Sequence, residues 1–460
     1  MPFSPASLLQ QLQRHPAMPA YWVAYSGGLD SSVLLHALHT CAGRLHVSIG
    51  AVHVNHGLQA RAAEWEAYCR QVCEALGVRY VSLPVDAAAA PGESPEAAAR
   101  AARYAALRDW LPAGHCLLTA QHRDDQAETL LLQLLRGSSV HGLAAMPELN
   151  AFGSGLHLRP LLDYSRSDLH VWALASGLTW IEDPSNRDTA FDRNFLRAGV
   201  LPVLRQRWPA AASSLARSAG HCAEAADLIG QLAELDLQHV RGRHPDTLSV
   251  AGLESLPAAR CRNVLRHWMR AHTGTFPPAV ILAHVLHDVL ASRHDAEPCV
   301  RCGDHEVRRY RDALYLLPRQ TASVQPEELS WSLSAPLPLP RAGGVLRVTP
   351  ATGCGIRQSL LPANGVRVCW RQGGERCRPA GRRHHHSLKK LFQAHAIPPW
   401  ERARIPLIYI GDELAAVAGL WVCEPFQAGP TDAGLWIDWD CSGDAGCRWK
   451  KIHGPAAAGN

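Results

Sequence analysis

Residues 19–32, Pro-Ala-Tyr-Trp-Val-Ala-Tyr-Ser-Gly-Gly-Leu-Asp-Ser-Ser, decide how the first half of the chain is built. Tyr21–Tyr25 is a short apolar run of strand length. Ser26-Gly27-Gly28-Leu29-Asp30-Ser31 breaks it, and Val33-Leu34-Leu35 opens a helix-like run. A strand, a glycine turn and a helix N-terminus make an anion cradle, because exposed N–H groups and the helix dipole both favour phosphate. Gly27 and Gly28 can adopt positive φ and let a phosphate approach the backbone. Ser26, Ser31 and Ser32 add hydroxyl donors, and Asp30 is placed to hold Mg²⁺ between phosphates. The Walker spacing G-x-x-x-x-G-K-[ST] occurs nowhere in the chain, so this is not the usual γ-phosphate loop. A glycine-rich turn with no ligand is the bland alternative.

Working outward, residues 1–215 alternate strand and helix signals. Strands are expected at Tyr21–Tyr25, His46–Val54, Val78–Pro84, His115–Ala120 and Leu156–Leu162. Helices are expected near Ser31–His39, Ala60–Leu76, Ser94–Trp110 and Asp124–Leu135. This alternation predicts an α/β domain, a parallel sheet with helices on both faces. Ligands in such sheets lie at the carboxyl ends of the strands. Three motifs fall on that edge: the glycine loop, His53-Val54-Asn55-His56-Gly57-Leu58, and the segment from Gln121-His122 to Glu128-Thr129.

In that last segment Asp125 and Glu128 stand three apart at a helix start, on one face, where a pair of acids could bind an amine. First-turn acids are also favoured by the helix dipole alone. His53 and His56 are read as nucleotide-base contacts, against a polar loop. Arg100 and Arg103 lie one turn apart and suit phosphate or a carboxylate, or a solvated face. Asp183-Pro184-Ser185-Asn186 followed by Arg193-Asn194-Phe195-Leu196-Arg197 suits a nucleic-acid-facing surface, although capping and solvation would also explain it.

Residues 216–325 read as a helical domain, Pro326–Pro340 as a linker, and 341–436 as a small α+β module with one helix near His386–His395. The module has strand-like runs at Val345–Val348, Val366–Trp370, Leu407–Tyr409 and Leu414–Trp421. Arg371, Arg376, Arg378, Arg382, Arg383, Lys389 and Lys390 crowd one stretch beside a single acid, Glu375. Trp370, Phe392 and Trp400 flank them, a combination suited to phosphate contact and base stacking in RNA recognition.

The 460 residues predict two or three domains. Hydrophobic content of 47% with 19% charged residues excludes a disordered chain, and a net charge of +5 is compatible with a nucleic-acid partner. No apolar run reaches membrane-spanning length and Met1–Gln13 lacks signal-peptide character, so a cytoplasmic protein with reduced thiols is expected. Cys299-Val-Arg-Cys302 has no second C-x-x-C to complete a structural zinc site. Cys69 and Cys73 read as packing residues.

Ser26–Ser31 resembles the PP-loop of the N-type ATP pyrophosphatases. Taken with the His53–Leu58 and Gln121–Thr129 motifs and Asp183–Asn186 with Arg193-Asn194, the N-terminal half resembles the tRNA(Ile)-lysidine synthetase family. So does Gly381-Arg382-Arg383, Ser387–Gln393, Ile397–Arg402 and Ile405-Pro406 near the other end. Gln121 stands where many members have a histidine. The resemblance implies that ATP held by Ser26, Gly27, Gly28, Leu29, Asp30 and Ser31, with His53 and His56, adenylates the C2 oxygen of the wobble cytidine of a CAU anticodon. Free L-lysine would then displace AMP to leave lysidine, which reads AUA. Asp30 is implied as the Mg²⁺ residue, Asp125 and Glu128 as the residues holding lysine with Arg100 in support, and the middle and C-terminal domains as the grip on tRNA(Ile). The oligomeric state is open, a homodimer included. The alternatives are a PP-loop tRNA cytidine 2-thiolation enzyme, which would need cysteines beside the N-terminal site, and a non-catalytic RNA-binding protein that responds to ATP.

Overall fold

In the computed structural model the described residues are 2–55, 61–86, 95–244, 246–293, 296–319, 328–340 and 343–441. The chain divides into two compact units, residues 1–231 and 232–460.

The first unit opens with α1 (Pro5–Gln13), β1 (Ala20–Ala24), α2 (Leu29–Leu45), β2 (Ser48–Asn55), α3 (Ala62–Ala75), β3 (Arg79–Pro84), α4 (Pro95–Trp110), β4 (Cys116–Leu118) and α5 (Arg123–Leu135). It continues with α6 (Val140–Leu143), β5 (Leu149–Phe152), β6 (Gly155–Leu158) and α7 (Arg166–Ala175). The sheet order is β3-β2-β1-β4-β6-β5. All pairings are parallel except β5–β6, an antiparallel edge that the sequence reading did not anticipate. Period-two alternation explains why helices cover both faces. Tyr21, Val23 and Tyr25 pack in one core with Leu8, Val33, Leu34, Cys69, Cys73 and Leu169. Trp22 points the other way into a second core with Val52, Leu107, Leu111 and Leu117. Strand order reverses between β1 and β4, so their carboxyl ends open a crevice at the topological switch point.

The unit closes with α8 (Asp192–Phe195), a π-helical turn at Leu196–Val200 and α9 (Leu201–Arg207), before the 30-residue α10 (Ala211–Val240).

Helices occupy the middle of the chain as expected, among them Ala258–Thr273, whose Val264, Leu265, Trp268 and Met269 enter a core. That region also carries a four-stranded antiparallel sheet: Thr247–Ser249, Ala313–Pro318, His305–Tyr310 and Cys299–Cys302. Cys299 and Cys302 are therefore strand residues with free thiols.

The C-terminal region is β-rich, with a helix at Leu388–Ala394 near the expected place and a second, short one at Pro399–Arg402. The linker expectation for Pro326–Pro340 is overturned within the described residues. Leu329–Trp331 pairs with Val366–Val368, Leu337–Pro338 pairs with Val345–Leu346, and Trp331 and Leu339 are buried in the core. Pro338 sits on a short edge pairing, where a missing N–H costs little. Strand Ala433–Asp440 likewise continues past the expected end of the module and buries Trp439.

Candidate active site

Gly28 caps α2 without any side-chain hydrogen bond, so the first N–H groups of that helix have no side-chain cap. Gly27 has φ +78°, and a Cβ there would lie 2.7 Å from Ile181 Cδ1 and 3.0 Å from Cys69 Sγ. Ile181 N–H donates to the Gly27 carbonyl at 2.8 Å, so the chain after α7 is laid against the loop. Ser31 Oγ donates to Gly28 O at 3.0 Å and lies 3.1 Å from Ser26 Oγ, which braces the turn from within. Leu29 is buried below it.

His53, at the carboxyl end of β2, is 8% exposed, and its Nδ1–H donates to Tyr25 O at 2.9 Å. Burial keeps its pKa below the ordinary histidine value, with the Tyr25 carbonyl opposing, so Nε2 is left as an acceptor beside the root of the loop. His56 lies outside the described residues.

Across the crevice His122 is the N-cap of α5 and 1% exposed. Its N–H donates to Asp125 Oδ2 at 3.0 Å while Asp125 N–H donates to its Nδ1 at 3.4 Å, a reciprocal capping box. Its Nε2 lies 3.7 Å from Asp30 Oδ2. Burial acts to lower the His122 pKa, but Asp125, Asp30 and Asp124 together hold it above the ordinary value. Asp30 Oδ1 is buried with no hydrogen-bond partner, and Arg166 Nε stands 4.0 Å from it. An orphaned carboxylate oxygen at a phosphate cradle fits a hard divalent cation. No group of three metal-ligating side chains is present among the described residues, so phosphate oxygens would have to complete such a site.

Asp125 and Glu128 do share one face of α5, but their environment was not legible from spacing. Glu128 is fully buried and takes a bidentate contact from Arg197, Nε to Oε1 at 2.8 Å and Nη2 to Oε2 at 2.9 Å. The same Nη2 donates to Asp125 Oδ1 at 3.1 Å. Arg193 Nη2 donates to Thr129 Oγ1 at 2.8 Å, with its Nε 3.4 Å from Glu128 Oε2. Burial pushes the Glu128 carboxyl up, opposed by Arg197 and Arg193. Asp124 accepts from Arg166 N–H at 2.7 Å and pairs with Arg205. The reading of Arg193 and Arg197 as nucleic-acid-facing is therefore corrected: both turn inward onto the α5 acids. The π-helical turn that contains Arg197 widens the helix at this point. Asn194 ties the preceding loop, its Nδ2 donating to Ser185 O at 3.0 Å and Asp188 O at 2.9 Å.

Arg100 is placed over the Tyr104 ring at 5.0 Å, in a group with His157 and Arg159 rather than with Arg197. The aromatic stacking platform expected near the basic stretch is also corrected. Trp370 and Phe392 are core residues, 6% and 0% exposed. Trp400 packs edge-on against Tyr315 at 5.2 Å with Arg308 across its ring at 5.6 Å. Arg376, Arg382, Arg383, Lys389 and Lys390 remain exposed.

Fold and crevice together define a PP-loop α/β protein of the ATP-binding class, and residues 5–204 match the PP-loop domain model. Residues 248–315 match the TilS substrate binding domain and residues 366–439 the TilS substrate C-terminal domain. The chain is 43% identical to the tRNA(Ile)-lysidine synthase of Coxiella burnetii over 93% of this chain and 94% of that protein. It is 44% identical to that of Alkalilimnicola ehrlichii over 93% and 95%. The chain belongs to the tRNA(Ile)-lysidine synthase family. Among solved structures it is similar to the U34-tRNA thiolase NcsA from Methanococcus maripaludis (15% identity, 48% of this chain and 77% of that one, TM-score 0.41). A crystallised TilS C-terminal domain is matched over its full length (20% identity, 26% of this chain, TM-score 0.22). No helix among the described residues is long and apolar enough to cross a membrane.

Proposed function

We propose that this chain ligates free lysine to C2 of the wobble cytidine in the CAU anticodon of tRNA(Ile), acting in the cytoplasm. The observation that carries the reading is the presence, in one chain matched to its relatives over nearly its whole length, of the PP-loop crevice and both TilS modules. The Ser26–Ser31 turn and the α2 N-terminus hold the β,γ-phosphates, leaving the α-phosphorus open to the cytidine C2 oxygen. That oxygen forms the new P–O bond and pyrophosphate departs. The lysine ε-amine then forms the C2–N bond as the C2–O bond breaks, and AMP leaves with the former carbonyl oxygen. The α5 N-terminus carries Asp125 and Glu128 toward the amine; because both already engage Arg197, lysine binds by sharing that arginine's contacts. Arg100, which stands over Tyr104 apart from that clamp, would support lysine from α4 only through its charge. Asp30 would hold Mg²⁺, which supplies charge neutralisation between the phosphates. The exposed cations from Arg376 to Lys390 contact the tRNA backbone.

The thiolation reading is disfavoured by the cysteines nearest the loop. Cys69 and Cys73 are fully buried, and burial pushes both thiols up to about 12, so neither offers a thiolate. The test is mass spectrometry of a CAU-anticodon transcript incubated with ATP and lysine. The expected product carries the mass of lysine less water, and pyrophosphate release requires the tRNA. A sulfur-for-oxygen mass change that ignores lysine, or no pyrophosphate at all, would overturn the reading.

A further inference from the structure

Beside the crevice, on the β4–β6 side, lies a group of buried polar residues that the proposed chemistry does not use. Thr119, His157 and Arg159 are 6%, 1% and 7% exposed. A guanidinium can only donate, so His157 Nδ1, 3.2 Å from Arg159 Nη2, is an acceptor. The neutral ring then carries its proton on Nε2, 2.7 Å from Thr119 Oγ1, and donates there. The Thr119 hydroxyl passes its own proton on to Gln121 Oε1. The Gln121 amide nitrogen is thereby turned toward Tyr104 OH at 3.5 Å. At the other end Arg159 Nη1 is anchored on Pro147 O at 2.7 Å and Asn150 Oδ1 at 3.0 Å. The direction of each link from Arg159 to Gln121 is thus set by the one group that cannot accept. Burial, reinforced by Arg159 and Arg100, lowers the His157 pKa to about 3, which keeps the ring neutral.

We propose that Arg159, His157, Thr119 and Gln121 form a one-way hydrogen-bond chain that positions His122 against Asp30 for the pyrophosphate-releasing step. The proposal rests on the activity proposed above. The backbone shows where such a device acts. Past the end of β4 the chain is tied to the segment beyond β6 at Thr119 N–H to Leu158 O, 3.1 Å, and again at Arg123 N–H to Tyr164 O, 2.8 Å. Between those ties a backbone bridge joins His122 to Leu161, and the Thr119–Gln121 side-chain link braces the residues directly before it. A shift there moves the α5 N-cap relative to Asp30, and sub-ångström placement matters for an in-line displacement. Gln121, the residue that departs from many family members, becomes the last link before His122.

The experiment compares full-length wild type with Thr119→Val and Thr119→Ser. Valine removes the hydroxyl at constant shape and leaves His157 Nε2–H and Gln121 Oε1 unpaired; serine keeps it. The first readout is histidine-selective ¹⁵N NMR without substrates. Wild-type His157 should show an Nε2–H tautomer at pH 7, and the His122 resonances should move in Thr119→Val but not in Thr119→Ser. The second is tRNA-dependent pyrophosphate release. Thr119→Val should lower kcat about tenfold with the KM for ATP within about twofold, and Thr119→Ser should recover most of the rate. A proton on Nδ1 of His157, unmoved His122 signals in Thr119→Val, or equal kcat losses in valine and serine would each overturn the proposal. Wild type that releases no pyrophosphate would sink the activity instead, while the NMR result would still decide the hydrogen-bond chain.

Discussion

At Asp30 one carboxylate oxygen faces His122 and the other is buried without a hydrogen-bond partner. That asymmetry separates a binding role from a structural one. Asp30→Ala should abolish pyrophosphate release while leaving tRNA affinity within about twofold, because the basic surface lies in another part of the chain. Undiminished AMP formation in that variant would remove Asp30 from the mechanism. Three residues earlier, Gly27 combines φ +78° with surroundings in which a Cβ would come within 2.7 Å of Ile181 and 3.0 Å of Cys69. Gly27→Ala should cost about 1–3 kcal/mol, read by chemical denaturation, since an L-residue must strain both backbone and neighbours. His157 gives a pH signature of defined sign. Its folded pKa, about 3, lies below the ordinary 6.5, so the unfolded chain binds more protons between those values. The contribution is fully present above pH 6.5 and is lost as pH falls, by about 2 kcal/mol at pH 5. In His157→Gln that slope should vanish from urea midpoints measured at pH 5 and 7.

At the level of elements, α5 behaves as a hub whose acids are each bound before any substrate arrives. Its first turn was legible: apolar residues follow acids, and His122 stands at the cap position. The partners were not. Arg193 and Arg197 approach from some seventy residues away, and nothing in local periodicity distinguishes an arginine that turns inward from one that faces solvent. Arg197→Ala would strand the fully buried Glu128, at a cost of about 2–3 kcal/mol after discounting the partial exposure of the arginine. Arg197→Lys should recover only part of this, since an ammonium cannot span both Glu128 oxygens. Thermal or urea unfolding of the two variants distinguishes a bidentate clamp from a simple charge pair; equal losses would argue against the clamp.

For the whole molecule, the distribution of charge separates chemistry from grip. Around the crevice Arg166, Arg193, Arg197 and Arg205 are spent on carboxylates, whereas Arg376, Arg382, Arg383, Lys389 and Lys390 stay exposed. Lys389→Ala with Lys390→Ala should weaken tRNA binding and reduce the log–log salt slope by about 1.5, with ATP affinity unchanged. Filter binding between low and moderate salt checks this, and an unaltered slope would place the contact elsewhere. The aromatic residues near these cations show how composition misleads: Trp370 and Phe392 read as bases' partners, yet they are what the module's own core is made of.

The N-terminal sheet, its glycine cradle and the carboxyl-edge position of the motifs could be read directly from the chain. Strand alternation, a glycine turn and helix capping are local patterns, set by interactions among near neighbours. The hydrogen-bonded edge strand β5, the antiparallel sheet at 299–318 and the pairing of residues 329–338 were settled by long-range partners, since each short run is stable only against a strand far away in sequence. The same holds at the site. Position on the strand edge follows from local order, but whether Glu128 faces an arginine, or Gln121 a threonine, depends on which distant segments fold against α5 and β4, and burial then fixes the charge and tautomer of each group.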